Sequence, residues 1–200
     1  MDSDGYLSQL AEIFNGITVN TPSISAIIAI VLAGVLLLAS GFASASEIAF
    51  FSLTPSDRND IDEQNHPSDE KISALLGDSE RLLATILITN NFVNVTIIML
   101  CNFFFMNVFV FHSPLAEFLI LTVILTFLLL LFGEIMPKIY SAQKTLAFCR
   151  FSAPGIWMFR SLFYPVASML VRSTTFLNKH FAKKNHNTVS YTHLTLPTNS

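Results

Sequence analysis

Two glutamates stand in apolar surroundings. Glu47 lies inside the run from Ile24 to Leu53, and Glu134 follows the run from Leu115 to Phe132. A carboxylate at membrane depth costs about 2.5–3.5 kcal/mol on insertion scales, so a chain that carries two has a use for them. Ser44-Ala45-Ser46 precedes Glu47; Gly133 precedes Glu134, and Ile135-Met136-Pro137-Lys138 follows it. A third polar place, with Asn90, Asn91 and Asn94, interrupts the apolar run from Leu82 to Phe111. These places offer hydroxyl, amide and carboxylate oxygens and no imidazole or thiolate. Oxygen donors suit hard cations: Mg2+ takes one or two carboxylates with carbonyls and retained water, whereas zinc or copper would want His or Cys. The residue types point to Mg2+, Ca2+, Mn2+ or Na+.

Depth supports grouping them. Glu47 lies seven residues before Thr54-Pro55, Asn90 nine after Arg81, and Glu134 four before Lys138. At ~1.5 Å per helical residue, all three sit roughly 6–14 Å inside one boundary. Pro137 has no N–H to give to the Gly133 carbonyl, which leaves a backbone oxygen beside Glu134. Interrupted helices at ion sites are a recurrent transporter device, and Gly41 to Ser46 is expected to loosen its helix similarly. Plainer readings exist for each motif. Ser40-Gly41 with Ala43-Ser44-Ala45 suits close helix packing. Asn90 and Asn94 share a face at i, i+4 and suit interhelical hydrogen bonding. Glu134 has Lys138 four residues on. Glu47 has no basic neighbour in sequence. Asn102 and Asn107 read as packing or interfacial groups, and Glu117 as wet near the far boundary.

The elements that must position these residues follow from composition. The chain has 200 residues, 52% hydrophobic, 12% charged, with 19 Phe and a mean hydropathy of +0.57. A soluble domain is about 25% charged, so this is a membrane chain. Ile24–Leu53, Leu82–Phe111 and Leu115–Phe132 are long enough to span. Residues 112–114 join the last two as a hairpin. Ile156–Val171, with Arg160 and Pro165, reads as an interfacial or re-entrant segment. No Lys or Arg precedes Arg58, so the first run is not a signal peptide. Basic residues gather between spans one and two and after Pro137, where no acidic residue follows Glu134. The positive-inside rule then places the N-terminus outside and the C-terminus inside. The expected fold is all-α integral membrane: three transmembrane helices and a cytoplasmic juxtamembrane helical belt. The basic segment suits anionic lipids; nucleic acid is not an expected partner.

Within this frame, residues 1–23 are an extracytoplasmic lead, 24–137 the three-helix domain with a cytoplasmic loop at 54–81, and 138–184 the basic juxtamembrane helices. Thr54-Pro55-Ser56-Asp57, Pro67-Ser68-Asp69 and Asp78-Ser79-Glu80 are expected helix caps. Residues 185–200 break the basic pattern and look like translated adaptor sequence, a non-native tail. Cys101 and Cys149 lack ligand spacing and read as small buried hydrophobes. An intramembrane enzyme is disfavoured, since no His-Glu-x-x-His, Gly-x-Ser-x-Gly or Gly-x-Gly-Asp pattern is present.

Three ordered motifs carry a resemblance. Phe42 to Leu53, Leu87 to Asn94 and Phe132 to Lys138, with Phe163-Tyr164-Pro165 beyond, resemble the CNNM/CorC family of magnesium transporters over roughly residues 24–182. The context of Pro67-Ser68-Asp69 and Glu80 to Thr85 is similar to its bacterial, gliding-motility GldE-like branch. The resemblance implies a homodimer in the bacterial inner membrane, with Mg2+ held in an inward-facing cavity and exported in exchange for Na+. It implies metal ligands at Ser44, Ser46, Asn90 or Asn91, the Gly133 carbonyl and Glu134. Glu47 and Asn94 would serve coupling or the outer coordination sphere. Thr89 and Ala45 stand where the family usually has Gly. The family's CBS pair is missing here, which implies truncation and no ATP site in this chain. A membrane anchor or accessory subunit of motility or secretion machinery, with a vestigial site, is the alternative.

Overall fold

The computed structural model describes residues 18–110 and 114–185. Most of 1–23, the tip of the hairpin and residues 186–200 therefore lie outside the described residues, as do the readings made of them. Helix α1 spans Ile24–Phe51 and α4 spans Ser79–Val108. Between them lie two short helices, α2 (Pro55–Asp62) and α3 (Asp69–Leu76). The third span is composite: α5 (Pro114–Leu128), a π-helical turn (Leu129–Ile135) and α6 (Met136–Gln143). Helices α7 (Thr145–Leu162) and α8 (Tyr164–Asn185) follow. Among the described residues, three helices are long and apolar enough to cross a membrane. Many of their large side chains, such as Ile28, Leu38, Met99 and Phe127, are exposed, as lipid-facing side chains must be.

The caps explain several boundaries. Thr54 and Asp57 form a reciprocal capping box at α2, and the Asp78 side chain accepts the Arg81 N–H at α4. The expected Ser68 cap does not form. Asp69 instead accepts the His66 N–H at 3.0 Å, and the Ser68 N–H goes to His66 Nδ1 at 3.1 Å. At the opposite end, the lead pairs with the hairpin in a two-stranded antiparallel ladder, β1 (Thr18–Val19) with β2 (Phe109–Val110). Asn107 Oδ1 accepts the Ser23 N–H beside it, so Asn107 serves the start of α1.

Two expectations are corrected. The α1 helix is continuous through Gly41 to Ser46. The small residues there do not unwind it, because they are spent on contact. The third span does not end at Pro137. It widens by one residue per turn, with the Met136 N–H reaching the Leu131 carbonyl, and continues to Gln143. Widening relieves the clash a proline ring makes with the carbonyl four residues back. Ile156–Val171 is not among the spans; it takes in the end of α7 and the start of α8, which meet at Phe163, whose N–H closes α7 on Phe159.

Two apolar clusters hold the fold. One, at the loop end, joins Phe50, Ile61, Ile72, Leu75, Leu82, Ile86, Cys149, Ala153 and Ile156. The other joins Ala33, Val93, Ile97, Cys101, Leu125 and Leu129 between the spans. Both cysteines are free and buried, and burial pushes the Cys149 thiol up to about 12, so it stays protonated at neutral pH. At the loop-end cluster a Cβ on Gly155 would stand 2.8 Å from Phe42 Cζ. That ring is packed edge-on against Phe151 and Phe159 and cannot swing aside cheaply. Gly155→Ala is expected to destabilise the detergent-solubilised protein by about 1–3 kcal/mol, read as an earlier denaturant midpoint; an unchanged midpoint would show that the ring yields.

Candidate metal centre

The polar residues lie between the two clusters. Along α1, Ser40 falls between Ala33 and Ala49; along α4, Asn90 falls between Ile86 and Val93; Glu134 follows Leu129. Close approach is made by small residues on both sides. A Cβ on Gly133 would meet Ser40 Oγ at 3.2 Å, and one on Gly41 would meet Pro137 Cγ at 3.0 Å and the Phe132 carbonyl oxygen at 3.4 Å. The π turn thus presses directly on α1 and carries Glu134 toward α4.

There the side chains converge. Ser40 Oγ is fully buried and lies 2.8 Å from Asn90 Oδ1 and 2.6 Å from Asn94 Oδ1. Asn94 Nδ2 faces Glu134 Oε1 at 3.4 Å, a weak contact that sets the orientation of its amide. The serine hydroxyl has one proton for two amide oxygens. Given to Asn94, it leaves Asn90 Oδ1 against the Ser40 oxygen with no proton between. Such a contact is relieved by turning the Asn90 amide or by a cation that draws oxygens from three helices together. Pro137 adds backbone oxygen: it withholds the donor that Gly133 would meet at i+4, or Phe132 at i+5 in the π register.

The other expected residues divide. Ser44 is fully buried, and its Oγ has no hydrogen-bond partner among the described residues, so a donor is available at a cost of about 1–3 kcal/mol if it stays unmet. Ser46 is also buried, but its hydroxyl is given to the Phe42 carbonyl at 2.6 Å. Asn91 is exposed and folds its amide back on the Leu87 carbonyl at 2.9 Å, away from the others. Thr89, where a glycine was expected, is buried and bonded to the Thr85 carbonyl at 2.8 Å. Glu47 does have a basic partner: Lys138 Nζ lies 3.1 Å from its Oε2, both side chains about a third exposed. Lys138 therefore pairs across to α1 and not with Glu134 on its own helix.

Two residues were missed. Ser40 was read only as packing, although it is the hinge of the network. Ser141 is buried on α6 and donates to the Ala45 carbonyl at 2.6 Å, bracing the Ser44–Ser46 stretch. Among the described residues no three His, Cys, Asp or Glu side chains gather, so any cation here is held mainly by neutral oxygens and one carboxylate. Ser40→Ala is expected to cost about 1 kcal/mol in denaturant unfolding by stranding Asn94 Oδ1; no loss would place the network outside the stability of the fold.

Residues 27–196 match the family described as CNNM, Cyclin M transmembrane N-terminal domain. The chain belongs to the CNNM family. This CNNM domain is also 30% identical over 134 residues to a curated protein of Haemophilus influenzae described as a UPF0053 protein, covering 67% of the chain and 31% of that relative. The chain thus spans about a third of the curated relative's length. The match to CNNM takes in all three spans, the π turn and both loop-end helices α7 and α8.

Proposed function

We propose that this CNNM domain is the membrane module of a divalent-cation transporter whose cargo is Mg2+. The observation that carries the reading is the Ser40–Asn90–Asn94–Glu134 cluster, in which two amide oxygens of α4 share one hydroxyl proton of α1 and the Glu134 carboxylate reaches the same Asn94 amide from the third span. An all-oxygen set with one carboxylate suits a hard cation that keeps part of its water shell. Glu134 supplies the charge, Asn90 and Asn94 supply amide oxygens, and the buried Ser44 hydroxyl and the carbonyl freed by Pro137 complete the set. The π turn belongs to the mechanism, since widened turns are frequent at functional sites. Small changes in its register move Glu134 relative to α4. Glu47, paired with Lys138, stands nearer the loop end and is suited to the coupling ion: Na+ arriving there competes with the lysine ammonium.

By the positive-inside rule, the basic residues of the loop end support a cytoplasmic loop end in a bacterial inner membrane, with the site open inward and Mg2+ leaving the cell in exchange for Na+. Two copies side by side, as a homodimer, cover part of the exposed apolar surface. The context of Pro67-Ser68-Asp69 and Glu80 to Thr85 supports the GldE-like branch of the family. The test is Mg2+ flux in liposomes holding the purified chain, with and without an opposing Na+ gradient. Gradient-dependent flux is the expected result; no flux in either condition would leave an anchor or accessory role in its place.

A further inference from the structure

A second place on the molecule has the chemistry of a ligand site and lies apart from the cation centre. A cavity of about 830 Å³, open on one side, lies between the first turn of α4 and the first half of α8. Tyr164, Ser168 and Arg172 follow one another at i, i+4 and i+8 on α8 and so form one stripe; Arg81 faces them from α4. Three buried side-chain polar atoms have no hydrogen-bond partner among the described residues. One is Ser44 Oγ on α1; the other two, Arg81 Nε and Ser168 Oγ, both belong to the wall of this cavity. Buried polar groups are nearly always satisfied, and a pair of orphans on one wall points to a missing partner.

Charge defines that partner. Arg81 stacks over the Tyr164 ring at 4.9 Å and reaches Asp78 at 3.0 Å with one Nη. Asp78 is shared with Arg160 at 3.5 Å, so this one carboxylate is divided between two guanidiniums. Arg172 is exposed on the cavity's rim. Glu80 lines a different cavity, on the far side of Val171. The wall is therefore net positive and rich in guanidinium donors, the groups that grip phosphate oxygens. Its remaining lining, Pro165 and Met169 among it, is apolar. Arg81 also marks the level at which a 30-residue apolar helix meets the polar loops, and Tyr164 is the kind of side chain found at that level of a bilayer.

We propose that this cavity binds the phosphate of an anionic lipid headgroup, with Arg81 and Arg172 as the cationic jaws, Ser168 as a hydroxyl donor, and the acyl chains along Met169 and the apolar face of α8. Binding would fasten α8 to α4 through the lipid. The proposal does not depend on the cation centre.

The test uses the full chain in detergent, with native mass spectrometry as the readout. Dioctanoyl phosphatidylglycerol, dioctanoyl phosphatidylcholine and inorganic phosphate are titrated in separate arms. Phosphatidylglycerol is expected to bind at least about fivefold more tightly than phosphatidylcholine, and Arg172→Gln to weaken it about fivefold, with Arg172→Lys losing less. The Arg81→Gln/Arg172→Gln pair should lose roughly 25-fold. Because Arg81 also holds Asp78, the single change at the exposed Arg172 decides the matter if the double variant fails to fold. Equal affinity for the two lipids, or phosphatidylglycerol binding unaltered by Arg172→Gln, would overturn the proposal. Displacement of phosphatidylglycerol by low millimolar inorganic phosphate would overturn the lipid as occupant and assign the cavity to a soluble phosphate compound.

Discussion

Glu134→Gln is expected to lower Mg2+ affinity by roughly a hundredfold or more in calorimetry on the purified module. Glutamine keeps the length and one carbonyl oxygen, so it keeps the contact with Asn94, whose Nδ2 faces Glu134 Oε1. What it removes is the one formal charge of the cluster. With Ser40, Asn90 and Asn94 all neutral, nothing else there offsets the dehydration of a small divalent ion. Glu47 cannot substitute, because its carboxylate is 3.1 Å from Lys138. Glu47→Gln, by the same argument, should leave Mg2+ affinity nearly intact and alter dependence on Na+. Equal losses from both variants would mean that the ion does not distinguish the two carboxylates, and the division of labour between them would fall.

Arg150→Met is expected to destabilise the protein by about 3–5 kcal/mol. Arg150 grips Asp69 with Nε at 2.8 Å and Nη2 at 3.0 Å, and the carboxylate is wholly buried. This pair ties α3 to α7, hence the loop between the first two spans to the segment after the third. Burial alone would raise the Asp69 pKa; the Arg150 hydrogen bond, the His66 N–H and the nearby positive charge outweigh it and hold the carboxyl below its ordinary value of 3.8. A depressed carboxylate contributes stability that is complete above the unfolded pKa and is lost as pH falls through the folded one. The wild type should therefore lose this contribution only below about pH 4. Arg150→Met should already lack it at neutral pH, where Asp69 is stranded. Asp69→Leu/Arg150→Met, which removes both charges, should recover most of the loss. Denaturant midpoints against pH for the three proteins decide it; a double variant no better than the single one would show that the pair is not what holds α3 to α7.

The sequence made some of this legible and hid the rest for definable reasons. Glu134, Asn90 and Asn94 stood out because a polar side chain in an apolar run is expensive and therefore visible. Asn91 was indistinguishable from Asn90 by that criterion. Successive helical residues point about 100° apart, so only one of the two can face the bundle, and the phase is set by packing that no local pattern displays. Ser40 escaped because serine is cheap in a helix and common at tight contacts; its role depends on α4 presenting two amides to it. The partner of Glu47 was equally hidden, since Lys138 lies on another span and reaches it only because the third helix continues past Pro137. That continuation was misread. A proline in a helical pattern reads as a stop, whereas here a widened turn absorbs it, and the π turn became the feature that carries Glu134 inward. The paired helices α7 and α8 were blurred into one segment because Arg160 and Pro165 flank a corner whose only local mark is Phe163. Caps fared better at Thr54 and Asp78, whose side chains accept a first-turn N–H, than at Ser68, whose side chain makes no cap bond.

On the proposed function, a cation sits among Ser40, Asn90, Asn94 and Glu134. A crystal structure of the chain grown with Mn2+ in place of Mg2+ tests it most directly, through the anomalous signal of the ion. A peak is expected about 2.1–2.2 Å from a Glu134 carboxylate oxygen, with the Asn90 amide oxygen turned toward it. A peak beside Glu47 with none at Glu134, or no peak within the membrane spans at saturating Mn2+, would contradict it.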